Sequence, residues 1–238
     1  MRAWAVLAAL ALAGTATAAP VLEAWSINVE PVGFEHTGDG IAPAFLRYLA
    51  DTADVPLEVS VRPYLRVIEG LRTGQAALTI LIPTPEHGQT ALVLCRVAPV
   101  RMTILYRRDL LGELTSLSGL AGRSIGIMRG SQVLAGYAAS AHFHGALVNS
   151  QEQGMRMMQA GRLDGTMCVH PGCRAALRAA GLEPEDYGEV MLGNHYLSLL
   201  VSRASALAAN RAAVARLRAA CESKDAQRLV TALMARWE

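Results

Sequence analysis

Apolar residues change their spacing several times along this chain, and each change marks an element. Ile41, Phe45, Leu46, Leu49 and Ala53 recur at steps of three and four, which predicts a helix over residues 41–53. Leu57, Val59 and Val61 then alternate with polar neighbours, the period of a half-buried strand, and Pro63 ends the run. Residues 64–73 return to helical spacing, with Leu65, Ile68 and Leu71 on one face and Gly74 as the stop. Residues 76–82 form an apolar run of strand length, as expected for a strand covered on both faces of a sheet. With a strand over 23–29 at the front, the order is β-α-β-α-β.

A second unit follows a long extended segment, 91–107. It reads as a strand over 124–128, a helix over 131–140, a short strand over 146–148 and a helix over 151–160. In that last helix Met155 and Met158 point inward, Met157 is a helix position with no cofactor role, and Gly161 is the stop. A strand over 163–169, a short helix over 174–180 and an extended segment over 195–202 come next. The chain closes with helices over 210–221 and 225–237, the first striped by Val214, Leu217 and Cys221.

Strands alternating with helices predict an α/β fold of mainly parallel sheets flanked by helices, with ligands held beyond the carboxyl ends of the strands. No internal repeat or Gly/Ser linker interrupts the chain, so the joints fall in the extended crossings near 91–107 and 190–202.

Composition narrows the class. The net charge of +2 comes without a basic run or aromatic-interleaved basic patch, which argues against a nucleic-acid partner. Arg2, an apolar stretch over 3–13 and Ala16-Thr17-Ala18 fit a secretory signal peptide cleaved after Ala18, and the apolar stretch is shorter than the ~20 residues of a membrane span. A mature chain in the periplasm is expected. For Cys95, Cys168, Cys173 and Cys221 an oxidising compartment makes disulfides the default, with three pairings open; Cys168 and Cys173 are near enough in sequence to close a small loop, and buried thiols are the alternative.

Several segments in order carry a resemblance. Gly40-Ile41-Ala42-Pro43, Pro63-Tyr64-Leu65-Arg66, Leu71-Arg72-Thr73-Gly74 and Pro83-Thr84-Pro85-Glu86 are followed by residues 120–127, Arg129-Gly130-Ser131 and Ala160-Gly161-Arg162-Leu163-Asp164. Together they resemble the bacterial family 3 extracellular solute-binding proteins, of the periplasmic binding protein type II superfamily, over nearly all of the mature chain. The resemblance implies two lobes, 19–98 with 196–238 and 104–192, joined by a hinge at 99–103 and 193–195. It also implies a monomer that closes around a solute and delivers it to the membrane permease of an ABC importer. A sensor docking a membrane receptor is the alternative, and a cyclohexadienyl dehydratase-like enzyme, using Glu35 with His87, is the more remote one.

The chain departs from that family at both charge clamps. His87 stands where amino-acid binders carry an arginine for the ligand carboxylate, and Ile82 stands where they carry a serine; after residues 161–164, Val169 and His170 stand where an acidic residue meets the ligand ammonium.

The expected ligand is therefore a small polar or anionic solute, with Arg66 as the main cation and Tyr64 as a stacking ring. Arg129, Gly130, Ser131 and Gln132 join a strand to a helix, where free N–H groups favour an anion or Ser131 caps the helix. Phe34 and Glu35 follow the first strand as a wall and an acceptor, Thr84 is a donor or a turn cap, and His170 completes the set. Cys168, His170 and Cys173 lack a fourth zinc ligand, His142 and His144 read as a solvated loop, and no cofactor, metal or catalytic motif is expected.

Overall fold

The computed structural model describes residues 21–237, so the expected leader at 1–18 lies outside the described residues. The first lobe opens with β1 (Leu22–Ile27), α1 (Ile41–Ala53), β2 (Leu57–Arg62), α2 (Tyr64–Thr73), β3 (Leu78–Leu81) and the single turn α3 (His87–Thr90). The long strand β4 (Ala91–Arg107) leads through α4 (Arg108–Leu111) to β5 (Ser124–Met128), α5 (Gln132–Ala141), β6 (His144–Val148), α6 (Gln151–Gln159), β7 (Gly165–His170) and α7 (Cys173–Ala179). A second long strand, β8 (Tyr187–Ser202), returns to the first lobe, where α8 (Ala206–Ala209), α9 (Arg211–Cys221) and α10 (Lys224–Ala235) finish the described chain.

All eight strands form one curled sheet in the order β2-β1-β3-β8-β4-β7-β5-β6. β1 pairs in parallel with β2 and β3 on one side, and β5 pairs in parallel with β6 and β7 on the other. β4 and β8 cross between these two sets, antiparallel from Ala91↔Ser202 to Arg107↔Tyr187. β3 pairs with β8 only from Ser198 onward, and β7 pairs with β4 only from Arg101 onward. The ladder is thus two strands wide at Ala98↔Leu197, Pro99↔Tyr196 and Val100↔His195. A proline is tolerated in a strand where a ladder bond is not required of its nitrogen, and Pro99 sits where β4 has no third strand beside it.

Side-chain caps start four of the helices. The hydroxyls of Ser131, Ser150 and Ser223 and the amide oxygen of Asn210 accept from the N–H of Leu134, Gln153, Ala226 and Ala213, capping α5, α6, α10 and α9. Arg216 on α9 donates through Nε to Ala53 O (2.7 Å), fastening the C-terminal helices to the end of α1, and Tyr48 Oη lies 3.1 Å from Ser223 Oγ. One disulfide, Cys95–Cys221, joins β4 to α9, and the other, Cys168–Cys173, closes the turn between β7 and α7.

Several elements differ from the sequence pattern, among them the single turns α3, α4 and α8, which it did not predict. The extended segment expected at 195–202 begins at Tyr187: Val190 and Leu192 are buried and Glu189 and Met191 exposed, the alternation of a strand with one face covered. On α2 the buried positions are Val67, Gly70 and Leu71, not Leu65. Gly70 packs against Trp25 so closely that a Cβ there would lie 2.2 Å from the indole, and this contact rotates Leu65 outward to 46 % exposure, toward the second lobe.

Candidate functional site

The carboxyl ends of the parallel strands converge where the two lobes meet, as the topology of open α/β sheets requires. There they enclose a cavity of about 50 Å3. From the first lobe it is lined by Ile27, Val29, Val32, Tyr64 and Ile82; from the second by Met128, Ser131, Val133, Leu134, Met167 and Val169. Met102 and Leu197 come from the long strands. The buried residues of both walls belong to one apolar cluster that continues through the junction, so the lobes meet core to core.

Two polar side chains interrupt this lining. Tyr64 opens α2, and burial pushes its phenol up to about 12, opposed by the Ser131 hydroxyl across the cavity. Ser131 Oγ also accepts from Leu134 N (3.3 Å), so it caps α5 and faces Tyr64 at once. Two contacts between the lobes flank the cavity. A Cβ on Gly130 would lie 2.1 Å from Leu65 Cδ2, and one on Gly172 would lie 2.8 Å from Pro31 Cδ.

The charged residues expected to hold an anion lie elsewhere. Arg66 is exposed and does not line the cavity. Arg129 is exposed, its Nε donating to Asn149 Oδ1 (3.1 Å), and Gln132 is exposed on the first turn of α5. His87 is buried in its own turn, where Thr84 N donates to His87 Nδ1 (3.0 Å); burial lowers its pKa, with Glu86 opposing, which keeps the ring neutral. Thr84 therefore serves this turn, with its hydroxyl 3.2 Å from the same nitrogen. Glu35 is exposed and accepts from Asn28 Nδ2 (3.2 Å), while Phe34 stacks on Trp237 with ring centroids 4.9 Å apart. His170 Nε2 lies 2.7 Å from Glu189 Oε2 and holds that carboxyl below its usual range against the effect of burial. His142 and His144 are exposed, but His144 opens β6 instead of lying in the expected loop, and the sulfurs of Cys168 and Cys173 are joined to each other.

Of the expected set, the structure brings Tyr64 and Ser131 together at the cavity, with Gly130 beside them, and puts the charged members outside it. Sequence reasoning missed the apolar majority, which ends the strands and reads as core. One signal was available: Ile82 and Val169 fall where the resembled family has polar or acidic ligand contacts. Gln151 was also missed. It is fully buried, and its Oε1 accepts from Val169 N (3.2 Å), fixing the strand end that lines the cavity.

No family model matches the chain, and no curated protein matches it. Solved structures do. A histidine kinase sensor domain with similarity to periplasmic binding proteins superimposes with a TM-score of 0.77 at 15% identity, covering 91% of this chain and 95% of that one. The GluR0 ligand-binding core from Nostoc punctiforme, in complex with L-glutamate, gives 0.75 at 15% identity over 91% and 98%. An ancestral arginine-binding protein bound to arginine gives 0.74 at 16% identity over 91% and 97%. At these identities the likeness speaks for the fold, and the fold is that of a two-lobed type II periplasmic binding protein.

Proposed function

We propose that this chain is an exported binding protein whose lobes close over a small solute with an uncharged, largely apolar body and one hydrogen-bonding group. The observation that carries this reading is the apolar lining of the inter-lobe cavity, with Tyr64 and Ser131 as its polar members. A charge enclosed there without a partner would cost several kcal/mol, of order the burial penalty for unpaired ions. This replaces the anionic solute expected from sequence, whose cations lie outside the cavity. At about 50 Å3 the cavity is far below the ~300 Å3 or more of ordinary ligand pockets, so admission of a solute requires the lobes to part.

The two-stranded neck at Ala98–Val100 and His195–Leu197 supports a hinge there, overlapping the crossings at 99–103 and 193–195, with lobes of 19–98 plus 196–238 and of 104–192. Closure then reports occupancy to a membrane partner. An ABC importer permease is the first reading. A sensor role is the second, favoured by the likeness to a histidine kinase sensor domain and by direct apolar contact between the lobes at Leu65 and Gly130. Binding without turnover is the activity, because Glu35 and His87, the pair acid–base chemistry would use, are each engaged outside the cavity.

Thermal unfolding of the mature chain against panels of uncharged aliphatic and aromatic solutes, amino acids and organic acids tests this, since a ligand stabilises by RT ln(1 + [L]/Kd). Stabilisation by an uncharged solute, lost in Tyr64→Ala, is expected. Stabilisation by organic acids, lost in Arg66→Ala and kept in Tyr64→Ala, would overturn it.

A further inference from the structure

A second groove runs between the lobes outside the enclosed cavity, and the two linings share no residue. It has a volume of about 780 Å3. One wall is the Phe34–Trp237 aromatic pair, stacked at 29°, with Pro31 and Glu30 beside it. The facing wall is the small-residue surface of α7, Ala175 and Ala176, together with Met155 of α6.

The charges in this groove do not balance. Arg156 is matched by Glu152, with which it forms an ion pair one helical turn away on α6. Glu30 is half-buried, lines the groove from the other lobe, and has no described ion-pair or side-chain hydrogen-bond partner. Burial raises its pKa, and the nearby Glu152 carboxylate adds to that, against smaller opposing effects of His36 and Arg156. A half-buried carboxylate without a partner, beside two aromatic rings, is costly by itself and complementary to a desolvated cation.

We propose that this groove is a second binding site, for a small organic cation with an aromatic or alkyl body. Its ammonium group sits against the Glu30 carboxylate beside the stacked Phe34–Trp237 pair, and its body lies on Met155, Ala175 and Ala176. Because the walls come from both lobes, occupancy here favours the closed arrangement independently of what the enclosed cavity takes.

Trp237 supplies the readout. In a Trp4→Phe, Trp25→Phe chain it is the sole indole, and its fluorescence is titrated with benzyltrimethylammonium, its uncharged isostere neopentylbenzene, and benzoate. A saturable change with the cation, absent with the other two, is expected. Glu30→Gln should weaken it about tenfold or more, the scale of a charge-assisted contact. Arg72→Ala, on the exposed face of α2 and in neither lining, should leave the titration unchanged. Ala176→Arg, placing a cation on the groove floor, should abolish it and serves if Glu30→Gln fails to fold. Equal responses to the cation and its uncharged isostere, or a cation response untouched by Glu30→Gln or by Ala176→Arg, would overturn the proposal.

Discussion

Leu65 of the first lobe lies directly over Gly130 of the second, with its Cδ2 only 2.1 Å from where a Cβ on Gly130 would be. This contact makes the closed arrangement testable with a single methyl group. Gly130 also has φ +83, so Gly130→Ala carries two penalties: a strained left-handed backbone of about 1–2 kcal/mol, and a contact that the half-exposed Leu65 side chain must swing aside to relieve in the closed form. The expected outcome is lower thermal stability and weaker solute binding. Trimming the partner separates the two effects. In Leu65→Ala/Gly130→Ala the clash is removed and closure should return, while the loss of thermal stability from backbone strain remains. A double variant that binds as weakly as the single one would show that the lobes do not meet at this pair.

Tyr64 gives a spectroscopic test of how closed the cavity is in solution. Its phenol is raised by burial to about 12, whereas an unfolded tyrosine ionises near 10. Between those two values the unfolded chain loses a proton that the folded chain keeps, so this residue withdraws stability as pH rises through the window, by about 1.4 kcal/mol per pH unit. Below pH 10 it contributes no pH dependence. Burial raises the Tyr187 phenol as well, so alkaline difference absorbance should show late-titrating phenols, and Tyr64→Phe should remove the Tyr64 phase and its share of the alkaline loss of stability. A phenolate appearing near pH 10 in the folded protein would mean that water reaches Tyr64.

Much of the fold was legible because the sequence states it twice, in period and in punctuation. Residues 41–53 and 64–73 are helices with the expected bounds because apolar spacing, Pro63 and Gly74 all agree. The front half of β8 was missed although Val190 and Leu192 alternate with Glu189 and Met191, since an edge strand carries a weaker apolar signal than a central one. The site was legible only as a set of loops. Sequence order places Arg66, His87 and Arg129 after strands, but not on which side of the turn each side chain emerges, and three-dimensional packing turned all three away from the cavity. Ile27, Met128 and Met167 line it, yet in sequence they are indistinguishable from core residues, because here the cleft is made of core.

His87 predicts a loss of stability on acidification. Its ring is buried with Nδ1 accepting from Thr84 N, and desolvation lowers its pKa below the usual value of about 6.5. The neutral ring is thus favoured in the folded state: its contribution is fully present above the unfolded value and is lost as pH falls through the depressed folded one. Imidazole titration by NMR should place His87 below the usual value of about 6.5, and His87→Ala should destabilise the chain by roughly 1–2 kcal/mol through the unpaired Thr84 amide while flattening the acid limb. His195, also lowered by burial, lies 3.3 Å from Tyr137 Oη at the neck and should titrate low for the same reason. An unshifted His87 would show that its turn is open to water.

The two disulfides should differ in what they contribute, because they close loops of very different length. Cys95 and Cys221 are 126 residues apart, Cys168 and Cys173 only 5. Loop-closure entropy in the unfolded chain then assigns about 5 kcal/mol to the first and about 2 kcal/mol to the second. The long-range bond also holds α9, and with it the C-terminal helices, onto β4 of the first lobe. Cys95→Ser/Cys221→Ser should therefore lower the melting temperature markedly, while Cys168→Ser/Cys173→Ser should lower it less. The short loop has a different consequence for function. It fixes the turn that carries Gly172 against Pro31 of the other lobe, where both line the outer groove. Opening it should weaken solute binding more than it weakens the fold. Equal losses of stability in the two double variants, or unchanged binding in the second, would separate this turn from the closure of the lobes.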